Sequence, residues 1–119
     1  MPIRSYRDLE AYKRSRSLIV PIHQLVVTLP DTEKYGLCDQ MRRASKSAVD
    51  NIVEGYGHKD TPVKMKSFWR ISMGSANEMI EHLEQTALLQ YAPSEAVQPL
   101  IDEYIIVARQ LNKLIQNWR

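Results

Sequence analysis

The chain has 119 residues, 44% of them hydrophobic, with 16 Lys and Arg against 14 Asp and Glu. That length supports one domain with one core, that apolar share excludes a disordered chain, and so even a charge balance does not by itself demand nucleic acid. A single cysteine excludes an internal disulfide, no apolar run is long enough for a membrane span, and no signal-like apolar stretch opens the chain, so a soluble cytoplasmic protein is expected.

Ser5 followed by Asp8 resembles a helix start. The first helix then carries Leu9, Tyr12, Ile19, Ile22, Val26 and Leu29 on one stripe, widened by Leu18 and Leu25, with Arg7, Lys13, Arg14 and Arg16 on other faces. Pro21 lies inside it. Proline there removes the hydrogen bond to the Ser17 carbonyl and clashes with it, at about 3 kcal/mol. The apolar period runs on through it, so a bend near Pro21 is expected, not an end. Residues 29–32 close this helix, and a helical turn over 32–35 precedes Gly36.

The second helix runs from there to about Gly57. Leu37, Met41, Ala44, Ala48 and Ile52 form its core face. Val49 and Val53 lie on one shoulder, next to Arg42 and Lys46. On the other shoulder runs a polar row, Gln40, Arg43, Ser47, Asn51 and Glu54. Half-buried polar groups need partners. With Glu78 from the third helix, this row is read as a structural seam. Arg43 is expected to be shielded and paired with Glu78 first and Glu54 second, since 43 and 54 stand about 16 Å apart on one helix. Gly55 and Gly57 suit the C-terminal cap.

Residues 58–61 form a loop, and Thr61-Pro62 is a good cap and first-turn pair. The third helix runs to about Gln90, with a core row of Met65, Phe68, Ser72, Ala76, Met79, Leu83 and Ala87. Trp69, Met73 and Ile80 add a second row, and Gly74 with Ser75 marks a close helix approach. Residues 91–93 break the chain and Ser94 caps the fourth helix. Its seam is Val97, Ile101, Tyr104, Ala108, Leu111, Ile115 and Trp118, broadened by Leu100, Val107 and Leu114. No convincing strand appears. Four long helices with short loops predict an all-α, antiparallel up-down-up-down four-helix bundle, a single domain over 1–119. The extra rows on the third and fourth helices would leave large apolar patches on a monomer, so an oligomer is expected.

Catalytic motifs are sparse. Glu78 and His82 could share one metal ligand site on the third helix, but a hydrogen-bonded pair at the core edge is the plainer reading. Gly55-Tyr56-Gly57 ends a helix, whereas dinucleotide binding needs such glycines to open one. Ser45, Lys46 and Ser47 point about 100° apart. Cys38 has Asp39 beside it and no local base. No catalytic, cofactor or metal site is expected. Charge is segregated: residues 71–108 hold six acids and no Lys or Arg. Arg42, Lys46, Lys59, Lys64, Lys66 and Arg70 lie where the second and third helices meet, and are the candidate nucleic-acid contacts. Tyr56, His58 and Trp69 nearby could stack on bases.

Order and spacing together carry a resemblance. The residues are Tyr6, Asp8 and Leu9; Pro30; Tyr35, Gly36 and Leu37; Gln40, Arg42, Arg43 and Ala44; Ser47; Asn51, Ile52, Glu54 and Gly55; Gly74, Ser75 and Glu78. Over about residues 6–115 the chain resembles the bacterial four-helix-bundle proteins encoded in intervening sequences of 23S rRNA genes. That family is similar to the accessory variability proteins of diversity-generating retroelements, ring-shaped pentamers associated with nucleic acid and a reverse transcriptase. The resemblance implies a bundle that forms a homopentamer, with RNA or DNA and a protein such as a reverse transcriptase as partners. The reading is a non-enzymatic, self-associating bundle that binds nucleic acid, RNA before DNA. The alternatives are a protein-interaction module without nucleic-acid affinity and, third, a metal-assisted enzyme using Glu78 and His82.

Overall fold

The computed structural model describes residues 2–118. Five α-helices make the four arms of the bundle: α1 (Glu10–Ser17) and α2 (Ile19–Val26) as one interrupted arm, α3 (Leu37–Tyr56), α4 (Pro62–Leu88) and α5 (Ser94–Asn117). Single 3-10 turns at Tyr6–Asp8 and Asp31–Glu33 precede α1 and α3, and no strand occurs among the described residues. α4 packs along α3 and α5; α1 closes the bundle against α3 and α5, and α2 against α3. The body is elongated, 44 × 25 × 19 Å. Its lower end gathers the start of α1, the end of α3, the start of α4 and the end of α5. Its upper end gathers the end of α2, the start of α3, the end of α4 and the start of α5.

Ser5 and Asp8 form a capping box, but around the 3-10 turn, and not at the head of the long helix. Ser5 Oγ accepts from the Arg7 N–H at 3.1 Å, and the Asp8 carboxylate accepts from the Ser5 N–H at 3.1 Å. Leu9 then turns extended (φ −72°, ψ 127°) before α1 begins. The helix runs on through Pro21, as expected, but the arm is interrupted before it. The interruption falls at Leu18, one turn earlier, beside the Ser17 carbonyl that proline leaves without a donor. Leu18 stays in the right-handed region, its N–H reaches the Ser15 carbonyl at 3.2 Å, and residues 20–22 are helical.

Leu37, Met41, Ala44, Ala48 and Ile52 are all buried, as their spacing predicts. On α4 the expected row is interior at Met65, Ser72, Ala76, Met79 and Leu83, but Trp69 takes the place of Phe68 and Thr86 that of Ala87. Trp69 is wholly buried and Phe68 only half so. The indole N–H donates to the Ile52 carbonyl at 3.2 Å, and its ring meets Trp118 edge-on at 5.4 Å. On α5, Val107 takes the interior place expected of Ala108.

These placements remove the argument from bare apolar rows. Trp69 and Val107 are fully buried, and Met73, Ile80, Leu100 and Leu114 pack against the core within one chain. Gly57 is the C-cap of α3, as expected, but two other glycines differ from expectation. Gly55 is not a cap: it is buried where α3 meets α4, and a Cβ there would stand 2.6 Å from Trp69 Cδ1 and 2.9 Å from the Met65 carbonyl oxygen. Gly74, expected at a close approach, would meet nothing within 4 Å. The close approach belongs to its neighbours, since Ser75 Oγ donates to Ser47 Oγ at 2.9 Å and Ser72 Oγ donates to the Ala48 carbonyl. Thr61 stands at the N-cap of α4 without a side-chain bond, and Pro93, not Ser94, is the N-cap of α5.

Candidate nucleic-acid interface

The up-down path decides which charges share an end. Residues 2–17, 47–75 and 106–118, the lower half, hold eleven Lys and Arg against five Asp and Glu. Residues 18–46 and 76–105, the upper half, hold four against nine. The near-neutral chain is therefore a bipolar rod, and such separation steers a charged partner to one end.

Lys59, Lys64 and Lys66 sit at the lower end, with Arg70 about 12 Å along α4 from Pro62 at 1.5 Å per residue. None of the four has a carboxylate partner among the described residues. Lys64 and Lys66 point about 200° apart on α4, so the charges ring the end and do not line one groove. Arg42 and Lys46 do not join them. Arg42 lies about 22 Å up α3 from Gly57, and its guanidinium reaches the Lys34 carbonyl of the upper loop at 3.4 Å. Lys46 is exposed at mid-height. The expected convergence of all six is thus replaced by four at one end and two along a flank, because a twenty-residue helix separates its own ends by far more than a side chain spans.

Sequence reasoning missed the contribution of the chain's first residues. Tyr6 packs edge-on against Tyr56 at 6.5 Å, and Tyr56 against Trp118 at 6.3 Å. These contacts bring Arg4, Arg7 and Lys113 to the same end. The signal was available, since alternating helix directions must place residues near 6, 58 and 115 together.

The aromatic residues expected to stack on bases are already engaged. Trp69 is interior. His58 lies parallel to Phe68 at 5.3 Å and faces Glu54 at 3.5 Å. Lys59 Nζ lies 4.9 Å over the Tyr56 ring. The end offers cations, not open stacking platforms.

The polar seam forms only in its middle. Asn51 Nδ2 donates to the Ser47 carbonyl at 3.0 Å and to Ser47 Oγ at 3.1 Å, and Ser75 completes the link to α4. Gln40, Arg43, Glu54 and Glu78 are exposed. Arg43 is not shielded: its side chain is 80% exposed and pairs with Asp39 at 3.1 Å. The partner one helical turn away wins over Glu78, which lies on the outer face of α4. Glu78 and His82 form no pair either, since both His82 ring nitrogens are buried without a protein partner. No cluster of three or more metal-ligating side chains occurs among the described residues. Burial pushes the Cys38 thiol up, with the Arg42 cation pulling the other way. The ion pair joining separate helices is Arg14 to Glu103, at 2.8 Å.

Fold and charge together define a small all-α bundle with one basic and one acidic end, and no helix among the described residues is long and apolar enough to cross a membrane. The model of the 23S rRNA-intervening sequence protein family matches residues 7–113, and the chain belongs to that family. No curated protein matches it closely.

Proposed function

We propose that the protein is a non-enzymatic binder of nucleic acid, with structured RNA preferred, and that its basic lower end makes the contact. The carrying observation is the set of unpaired cations there, Lys59, Lys64, Lys66 and Arg70, on a rod whose opposite half is acidic. Phosphates are the complementary ligand for cations without carboxylate partners. The engaged aromatics favour backbone contact over base reading, so binding is weakly sequence-selective. Arg42 and Lys46 extend the contact along α3 when the ligand is long.

The same reading includes self-association, to the pentamer that the resemblance implies. Buried apolar rows no longer support it. What supports it is the outer face of α4, where Gly74 has empty space beside it and Ile71 stands 52% exposed. A glycine within a helix costs about 1 kcal/mol against alanine and has no reason inside this chain. A ring would repeat the basic end several times and raise avidity.

The test is fluorescence anisotropy with labelled structured RNA and duplex DNA, on protein shown to be folded, alongside sedimentation equilibrium. Lys59→Glu, Lys64→Glu and Lys66→Glu combined should abolish binding and leave the oligomer intact. Loss of neither RNA nor DNA binding in that variant moves the contact elsewhere. No binding by the wild type at low salt favours the protein-interaction module.

A further inference from the structure

The upper end carries an apolar surface that nucleic-acid binding does not use. Val27, Tyr35 and Leu88 are each at least 80% exposed, and Leu89 is half exposed. All four stand on the two upper loops or the helix ends beside them. Those loops are fastened together, because the Tyr91 hydroxyl donates to Glu33 Oε2 at 2.9 Å. Next to them a groove of about 430 Å³ is lined by Ala87, Gln90, Tyr91, Ala92, Pro93 and Ser94.

Gln90 is the conformational outlier of the described chain, with φ 60°. It occupies the left-handed position of a Schellman ending to α4: its N–H meets the Ala87 carbonyl, and the Tyr91 N–H meets that of Thr86, both at 3.0 Å. Glycine fills this position at no steric cost. A glutamine there holds an amide side chain out beside the groove at the expense of backbone strain, the kind of outlier that points to a site.

The charge around this surface is one-sided. Glu84 lies one turn before Leu88, Glu95 opens α5, and residues 71–108 hold no Lys or Arg. Lys34, 5.4 Å over the Tyr35 ring, and Arg42, bonded to the Lys34 carbonyl, are the opposing charges at the neighbouring loop, so the one-sided charge belongs to the α4–α5 side. An acidic rim repels polyanions and attracts bases. Exposed leucines inside such a rim match the apolar face of a helix whose flanks carry Lys or Arg.

We propose that the upper end is a docking surface for a basic amphipathic helix of a protein partner. The partner's apolar face covers Val27, Tyr35, Leu88 and Leu89, its cations face Glu84 and Glu95, and Gln90 meets its polar edge. The two ends of the rod then hold different ligands, so that the bundle joins a basic protein segment to a polyanion. The docking surface does not depend on the nucleic-acid reading, and each can fail alone.

The probe is a 14-residue Leu–Lys peptide with helical amphipathic spacing, set against a peptide of the same composition with the spacing scrambled. Amide chemical shifts of the ¹⁵N-labelled protein locate the contact. The amphipathic peptide should move residues 27–35 and 84–96, and the scrambled one should not. Leu88→Ser with Leu89→Ser should weaken binding at least tenfold, and so should Glu84→Lys with Glu95→Lys. Both double variants alter exposed residues and should stay folded, and Leu88→Ser with Leu89→Ser should keep wild-type RNA affinity. Equal binding of the two peptides, shifts confined to the lower end, or unaffected variants would overturn the proposal. So would self-association of the free protein that Leu88→Ser with Leu89→Ser abolishes, since the occupant would then be the basic end of a second copy.

Discussion

Two glycines predict opposite responses to one methyl group. Gly55 faces a fully buried tryptophan: a Cβ there lies 2.6 Å from Trp69 Cδ1, 2.7 Å from Nε1 and 2.9 Å from the Met65 carbonyl. The indole cannot swing away without breaking its bond to the Ile52 carbonyl, and the Met65 carbonyl belongs to the backbone of α4. Overpacking of this kind costs about 1–3 kcal/mol. With two obstacles, one of them backbone, the upper part of that range applies. The gain in helix propensity from glycine to alanine returns about 1 kcal/mol, so Gly55→Ala should lose about 1–2 kcal/mol net. Gly74 has no atom within 4 Å of its would-be Cβ. Within one chain Gly74→Ala keeps the full propensity gain of up to about 1 kcal/mol, whereas in the proposed assembly a second chain takes that space and the gain is lost. Urea unfolding followed by circular dichroism, with unchanged m-values, measures both. A Gly55→Ala protein as stable as wild type would refute the close approach of α3 and α4. Loss of stability in Gly74→Ala would show that a second chain fills the space, and sedimentation of the same variant would then show weaker assembly.

Three other substitutions test separate parts of the structure. Gln90→Gly should raise stability by about 1 kcal/mol by relieving the left-handed strain, read from the same urea curves. Tyr104 is wholly buried, its hydroxyl has no protein partner, and burial raises its pKa well above the usual tyrosine range. An unmade bond of this kind costs about 1–3 kcal/mol, so Tyr104→Phe should stabilise, and a fall in melting temperature would reveal a partner for the hydroxyl. Because the folded-state pKa is raised, the unfolded chain loses this proton first. Stability should hold below about pH 10, fall by up to about 1.4 kcal/mol per unit above it, and fall less steeply in Tyr104→Phe. Arg43→Ala should change stability by less than about 0.5 kcal/mol, since an exposed pair with Asp39 contributes little.

The helices were legible because apolar spacing encodes them directly. Every residue of the α3 core row is interior, α4 ends within two residues of its expected position, and α5 begins within one residue of its own. The choice of Trp69 over Phe68 on α4 was not legible. Phe68 and Trp69 are adjacent and both apolar, and only the Ile52 carbonyl, which accepts the indole N–H, decides which one turns inward. The polar row failed for a related reason. Ser47 meets α4 through Ser75 and Asn51 bonds back to Ser47, while Arg43 and Glu54 drift to the surface as the shoulder leaves the contact. Gly55 and Gly74 look alike in sequence, and only the distance to the neighbouring helix separates a required glycine from a dispensable one. Of the basic residues, those after the α3–α4 turn could be placed at one end from the sequence. Arg42 could have been set apart as well, since a helix running to Gly57 already puts it about 22 Å from that turn.

The central claim is that the lower end binds polyanions through unpaired cations, and the salt dependence of RNA affinity tests it most directly. Each neutralised phosphate contributes about 0.7–0.9 to the slope of log K against log salt. With Lys59, Lys64, Lys66 and Arg70 engaged, the wild-type slope should reach about 3 in magnitude per chain, and Lys59→Glu should lower it by about one. An RNA affinity that does not change between low and physiological salt, or a slope untouched by Lys59→Glu, would contradict the account.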